Sequence, residues 1–180
     1  KWIQLPEGST GNGIRFNQAG DMFVADYTGH NILKIDPKTK EVSVFAHEPR
    51  MHQPNDIAIG PDGTLYASDP DWKNKDGALW RISDEGTVTL LADDKGTTNG
   101  IEVSPDGKTL YVAESRQHRV LAYDLSAEGI ANERVIIEFE DHNLDGMRCD
   151  VDGNLYITRH GAGLVLKLSP TGEVLRSIKL

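Results

Sequence analysis

The chain has 180 residues and a formal net charge of −9 at pH 7. That length accommodates one domain with a core of its own. The acidic balance argues against nucleic acid as a partner, because phosphates call for basic patches. No apolar run approaches the roughly 18 residues of a membrane helix, so no membrane partner is expected.

The lone Cys149 allows neither an intrachain disulfide nor a cysteine-based zinc site, and reads as a small buried apolar residue. The sequence opens at Lys1 with no Met and no signal-like apolar segment. A trimmed or mature soluble chain is expected, with cytoplasm and periplasm both left open.

Taken in order, the chain reads as short strands. Residues 14–17 alternate apolar and polar, a turn follows at Gly20, and 22–25 form the next apolar run. Runs 32–35 and 42–45 come after Gly29-His30-Asn31 and Asp36-Pro37-Lys38, whose residue types suit turns. The second set is 57–59, 65–67, 79–82 and 88–91; the third is 101–103, 110–113, 120–123 and 135–139. The fourth is 147–151, 155–158, 165–168 and 174–178. Pro61-Asp62-Gly63 and Pro105-Asp106-Gly107 read as hairpin turns in which Gly supplies positive φ. Sustained helical periodicity is absent, and 126–132 has room for one helical turn at most.

Each set opens on an Asn or Asp: Asn12-Gly13, Asn55-Asp56, Asn99-Gly100 and Asp145-Gly146. The interval is roughly 43–46 residues, the period of four-stranded β-propeller blades. Strands at this spacing also suit a sandwich, but the in-register repeat favours an all-β propeller. The blade repeats lie near 12–46, 55–92, 99–139 and 145–180 of a single domain, or part of one. Four blades either close a small ring or belong to a larger one. In a larger ring, the apolar faces of the end blades would be uncovered and would favour self-association.

The innermost strand of each blade lines the axis, so equivalent positions converge there. Asn12, Asn55, Asn99 and Asp145 are predicted to ring one mouth of the channel. Amide and carboxylate oxygens with few charges suit Ca²⁺, and Mg²⁺ or Mn²⁺ less well. Asn and Asp also start strands simply as turn residues. A second equivalent set, Asp26, Asp69, Glu114 and Arg159, ends the second strands and is expected to cap loops through backbone N–H groups. Trp72 falls in a long loop, 69–74, where it either covers a pocket or packs on its own blade. His52 and His160 fall near the mouth, and each reads as an ordinary loop residue rather than a catalyst. No His-x-x-x-His pair, Gly-x-Ser-x-Gly elbow or phosphate loop occurs.

Pro54-Asn55-Asp56, Ser68-Asp69-Pro70, Asn99-Gly100-Ile101 with Ser104-Pro105-Asp106-Gly107, and Asp145-Gly146-Met147 with Asp150 and Gly153-Asn154-Leu155-Tyr156 carry a resemblance. In this order they resemble the six-bladed propellers of the gluconolactonase, senescence-marker-protein and luciferin-regenerating-enzyme-like family. The resemblance implies a hydrolase of sugar-type lactones that uses one divalent cation, usually calcium. It implies Asn99 and Asp145 as metal ligands, and Asn55 as a ligand of metal or substrate. Asp145 is then the candidate general base, with Asn55, Trp72 and His160 on the substrate side. A further family ligand is a Glu in a Glu-Gly-Pro motif. Glu7-Gly8-Ser9 lacks the Pro and is not assigned that role. The stretch Val24-Ala25-Asp26 with His30-Asn31-Ile32 also looks like NHL repeats, which implies a non-catalytic binding module. A more distant similarity to strictosidine-synthase-like propellers implies a metal-poor site.

Overall fold

The computed structural model describes residues 2–180. Sixteen strands form four separate four-stranded sheets, each a meander in which consecutive strands pair antiparallel. The first sheet contains β1 (Gly11–Phe16), β2 (Met22–Asp26), β3 (Asn31–Ile35) and β4 (Val42–His47). The second contains β5 (Ile57–Ile59), β6 (Leu65–Asp71), β7 (Asp76–Ile82) and β8 (Val88–Lys95). The third runs β9 (Thr98–Val103), β10 (Thr109–Glu114), β11 (Arg119–Ser126) and β12 (Gly129–Glu138). The fourth runs β13 (Asn143–Cys149), β14 (Leu155–His160), β15 (Leu164–Leu168) and β16 (Val174–Lys179). No helix occurs among the described residues, and so none that is long and apolar enough to cross a membrane.

The first turn of every blade is built alike. Gly20, Gly63, Gly107 and Gly153 each donate their N–H to the carbonyl three residues earlier. Each has a φ between 73° and 89°, which a side chain adopts only with strain. The sequence repeats those glycines because the hairpin between the first two strands needs one residue in that conformation.

Alternation then divides each strand between two neighbours. Leu65 and Ala67 of β6 face the first sheet with Phe23, Ile32, Met51 and Trp80, whereas Tyr66 faces the third with Ile101, Leu110 and Leu121. Tyr111, Ala113 and Val120 of the third sheet meet Leu144, Met147, Ile157 and Leu168 of the fourth. Ile3 and Leu5 cover the outer face of the first sheet around Val24, Leu33 and Ile35. The inner strands pack in series, β1 on β5, β5 on β9 and β9 on β13. Among the described residues no strand of the fourth sheet packs on the first to a comparable extent, so the four blades form an open arc.

Two local expectations are corrected. Segment 126–132 holds no helical turn: β11 and β12 continue into a hairpin, with Ser126 opposite Gly129. The stretch containing Trp72 is not a long loop either. β6 and β7 stay paired out to Asp71 and Asp76, leaving a four-residue turn, 72–75. Apolar alternation stops before these residues, but backbone pairing needs no apolar side chain to continue.

Cys149 is partly buried, and burial pushes its thiol up to about 12, helped by the nearby Glu102 and Asp150 carboxylates. The thiolate is the reactive form. At pH 8 the native chain is therefore expected to react with a disulfide reagent at least tenfold more slowly than the unfolded chain, as a thiol titration with and without denaturant would show.

Candidate functional site

Asn12, Asn99 and Asp145 do not precede their inner strands, as the sequence suggests; they lie within them, on β-bulges. In β1, Gly11 pairs with Asp26 and Ile14 with Val24, so Asn12 and Gly13 together oppose one residue. In β9, Asn99 and Gly100 sit between the pairs Thr98–Glu114 and Ile101–Val112. In β13, Asp145 and Gly146 sit between Leu144–Arg159 and Met147–Ile157. The second blade repeats the device just ahead of β5. There Asn55 N–H donates to Ser68 O at 2.8 Å and Ser68 N–H to Asp56 O at 3.1 Å. A bulge re-aims the side chain it carries. Here it turns one Asx per blade toward the cleft that all four line.

Glycine at the second bulge position lets the blades approach. A Cβ on Gly13 would lie 2.6 Å from Asp56 Cα, and one on Gly100 would lie 2.4 Å from the Asp145 carbonyl oxygen. On Gly146 it would meet nothing within 4 Å, because this side of the fourth blade is uncovered.

The four Asx residues converge on one cleft with a cavity volume of about 340 Å³. Trp72 and His160 line the same cleft, together with Ser115, Asn143 and Leu144. Asn55, Asn99 and Ser115 are only 7%, 6% and 2% exposed. Among the described residues the side chains of Asn55, Ser115 and Asp145 make no hydrogen bond, and Asn99 makes one long one, Nδ2–H to Leu144 O at 3.5 Å. Buried polar atoms are ordinarily satisfied inside the protein, so a set left open toward one cleft is prepared for something that enters it. The donors are hard oxygens, amide and carboxylate, which fit a divalent cation of the calcium kind. No group of three or more His, Cys, Asp or Glu that could hold a metal occurs among the described residues. Asp145 is the one carboxylate lining the cleft; Glu7 stays exposed outside it.

Sequence reasoning missed Ser115 and Asn143. Ser115 follows Glu114 as His160 follows Arg159, so aligning the repeats one residue past the second strand would have found it. Its backbone ties the third blade to the fourth: its N–H donates to Thr97 O at 2.7 Å, and its carbonyl accepts from Leu144 N–H at 3.4 Å.

The strand-end acids hold the loops that enter the inner strands. Asp26 accepts from Thr10 N–H at 2.9 Å and Ser9 Oγ–H at 2.8 Å. Burial works to raise its carboxyl, but hydrogen bonds from Asn31, Ser9, Thr10 and Gly29 outweigh it and hold it below the usual range. Asp69 accepts from His52 and Gln53 N–H and from Trp80 Nε1–H. It is buried more deeply, and burial leaves its carboxyl above the usual range despite those bonds. Glu114 accepts from Gly96 N–H at 2.7 Å and from Arg119. Arg159 inverts the polarity, donating to the carbonyl and carboxylate of Asp141. His52 therefore serves the loop through its backbone, and its ring is exposed outside the cleft.

A charged network lies further along the same strands. Arg15 of β1 holds Asp56 at 3.0 Å and Glu102 of β9 at 3.8 Å, and Arg148 of β13 reaches Asp56 at 3.3 Å. Arg15 also donates to Ile101 O at 3.3 Å. All four blades are thereby tied together at the axis. Burial chiefly lowers the Arg15 pKa and raises that of Glu102, so the ion pairs are what keep these charges in place. Arg15, Glu102 and Arg148 each stand three residues after the Asx of their repeat, a periodicity the sequence already contains.

Comparison with known proteins agrees with this architecture. The chain is 29% identical over 189 residues to a gluconolactonase of Zymomonas mobilis, covering 91% of this chain and 52% of that one. It is 29% identical to a 6-deoxy-6-sulfogluconolactonase of Pseudomonas putida, covering 99% of this chain and 63% of that one. The crystal structure of a calcium-binding protein, regucalcin, from Agrobacterium tumefaciens superposes with a TM-score of 0.82 at 22% identity. That superposition covers 96% of this chain and 61% of the other. The chain thus spans between about half and under two thirds of the length of these three proteins. A family profile described as the SMP-30/Gluconolactonase/LRE-like region matches residues 2–180, and the chain belongs to that family.

Proposed function

We propose that this cleft is the site of a calcium-dependent lactonase that opens sugar-type lactones. The observation that carries the reading is the convergence of Asn12, Asn55, Asn99 and Asp145 on one cleft, with Asn55, Asn99 and Asp145 making almost no hydrogen bonds inside the protein. Relatives named for gluconolactone and sulfogluconolactone hydrolysis, and one named as calcium-binding, support both the substrate class and the ion.

Asn99 and Asp145 would hold the cation, with Asn55 as a third donor or as a contact to substrate hydroxyls. Held there, the cation would supply Lewis acidity to the lactone carbonyl and to water. The exposed Asp145 carboxylate takes the proton from the attacking water. Water oxygen bonds to the carbonyl carbon, the ring C–O bond breaks, and the proton passes to the departing ring oxygen to give the open hydroxy acid. Ser115 offers a hydroxyl donor from the cleft wall, and Trp72 and His160 flank the sugar.

The test is a thermal melt in excess calcium and again in EDTA, with lactone hydrolysis followed by acid release. Ligand at a hundredfold excess over Kd adds roughly 2.7 kcal/mol of stability. For a chain of this size that raises Tm by about 5–10 °C. Asp145→Asn is expected to remove the calcium response and the hydrolysis together. A wild-type melt indifferent to calcium would overturn the reading.

A further inference from the structure

We infer that the rim of this cleft carries an anion subsite, built by Arg116 over Trp72, that selects lactones bearing a second anionic group away from the reacting carbonyl. The inference rests on the lactonase reading for its substrate and on the geometry of two turns for its site.

Trp72 lies in the turn between β6 and β7, and Arg116 in the turn between β10 and β11 of the next blade. The Arg116 guanidinium stands over the Trp72 ring at 6.0 Å from its centroid. The two turns are braced against each other. Gln117 donates from Nε2 to Lys75 O at 3.3 Å, and its Oε1 accepts from Thr97 N–H at 2.8 Å. The Trp72 turn is fixed from within as well. The Asp71 carboxylate accepts from Lys73 N–H and Asn74 N–H, each at 3.0 Å, and from Asn74 Nδ2 at 2.7 Å. The two turns that carry the pair are therefore held by the side chains of Gln117 and Asp71.

Among the described residues Arg116 makes no ion pair and no hydrogen bond, although the chain carries 28 acidic residues against 19 basic ones. Several other arginines, including Arg15, Arg50, Arg119, Arg134 and Arg159, have a carboxylate partner. An unpaired guanidinium standing over a ring that lines the cleft, in a chain of net charge −9, is where an anion is attracted rather than repelled. Its planar fork suits two oxygens of a carboxylate, sulfonate or phosphate. Ser115, the preceding residue, lines the cleft with its unpartnered hydroxyl, and the Trp72 indole supplies an apolar wall for a sugar face. Charge, hydroxyl and ring together fit an aldonolactone with an acidic group at its far end.

The experiment compares binding of gluconate, glucarate and 6-phosphogluconate to the full chain in excess calcium, by calorimetry and by quenching of tryptophan fluorescence. Glucarate and 6-phosphogluconate are expected to bind about tenfold more tightly than gluconate. Preference for one over the other identifies the second group as carboxylate or phosphate. Arg116→Met is expected to bring the ratio close to one, and Arg116→Lys to restore part of it. No preference in the wild type, or an equal loss for all three acids in Arg116→Met, overturns the subsite. Hydrolysis of neutral gluconolactone by the wild type without such a preference overturns the subsite and leaves the lactonase reading standing. A preference that persists when no lactone is turned over upholds the subsite and overturns that reading.

Discussion

Asp56→Ala is expected to cost about 3–5 kcal/mol of stability, the range for removing one partner of a buried ion pair. Asp56 accepts from Arg15 at 3.0 Å and 3.2 Å and from Arg148 at 3.3 Å, and it also takes Ile57 N–H at 2.9 Å. Without it, the Arg15 guanidinium remains in a place where burial already lowers its pKa, with Glu102 at 3.8 Å as its one remaining carboxylate partner among the described residues. Removing the half-exposed Arg148 leaves no such charge stranded, and Arg148→Met is expected to cost under about 1 kcal/mol. Chemical denaturation of the two variants checks the difference. If Asp56→Ala and Arg148→Met prove equally mild, the network does not hold the blades together.

Gly100→Ala is expected to cost about 3 kcal/mol, whereas Gly146→Ala changes stability by no more than about 0.5 kcal/mol. The two glycines occupy the same bulge position in successive blades. A methyl on Gly100 would lie 2.4 Å from Asp145 O, 2.9 Å from Met147 N and 3.0 Å from Gly146 C. All three are backbone atoms, so relief requires the inner strand of the fourth blade to move, and Asp145 moves with it. The same methyl on Gly146 meets nothing within 4 Å. Gly100→Ala should therefore also reduce the rise in Tm caused by calcium, and Gly146→Ala should keep it. Equal calcium responses in the two variants would show that the Asp145 position is insensitive to how closely the blades approach.

The blade strands were legible because each has two apolar neighbours to satisfy and a glycine whose φ the first hairpin demands. The converging Asx residues were legible because the repeat returns them at nearly constant intervals. The bulges that carry them were not. A bulge is a property of two strands in register, and one strand's sequence shows only an Asn followed by a small residue. Ser115 escaped for a different reason: serine is common in turns, and only the cleft around it distinguishes this one. The axial network needs four strands from four blades brought together before Arg15, Asp56, Glu102 and Arg148 become partners. The strand extensions at 69–71 and 129–134 were hidden because polar residues there continue the ladder without contributing to the core.

If the cleft takes a cation as proposed, the bulge also separates the choice of ion from the choice of fold. Each blade presents one bulge side chain to the cleft, and those of Asn12, Asn55 and Asp145 make no hydrogen bond to the rest of the described protein, so a change of donor there breaks no internal hydrogen bond. Three amides and one carboxylate set a low charge at the mouth. Exchanging a single amide for a carboxylate, one blade at a time, would raise that charge in unit steps on an unchanged scaffold. On the proposed reading the blades act as carriers of one donor each, and the donor set of the cleft is composed by their sequence along the arc.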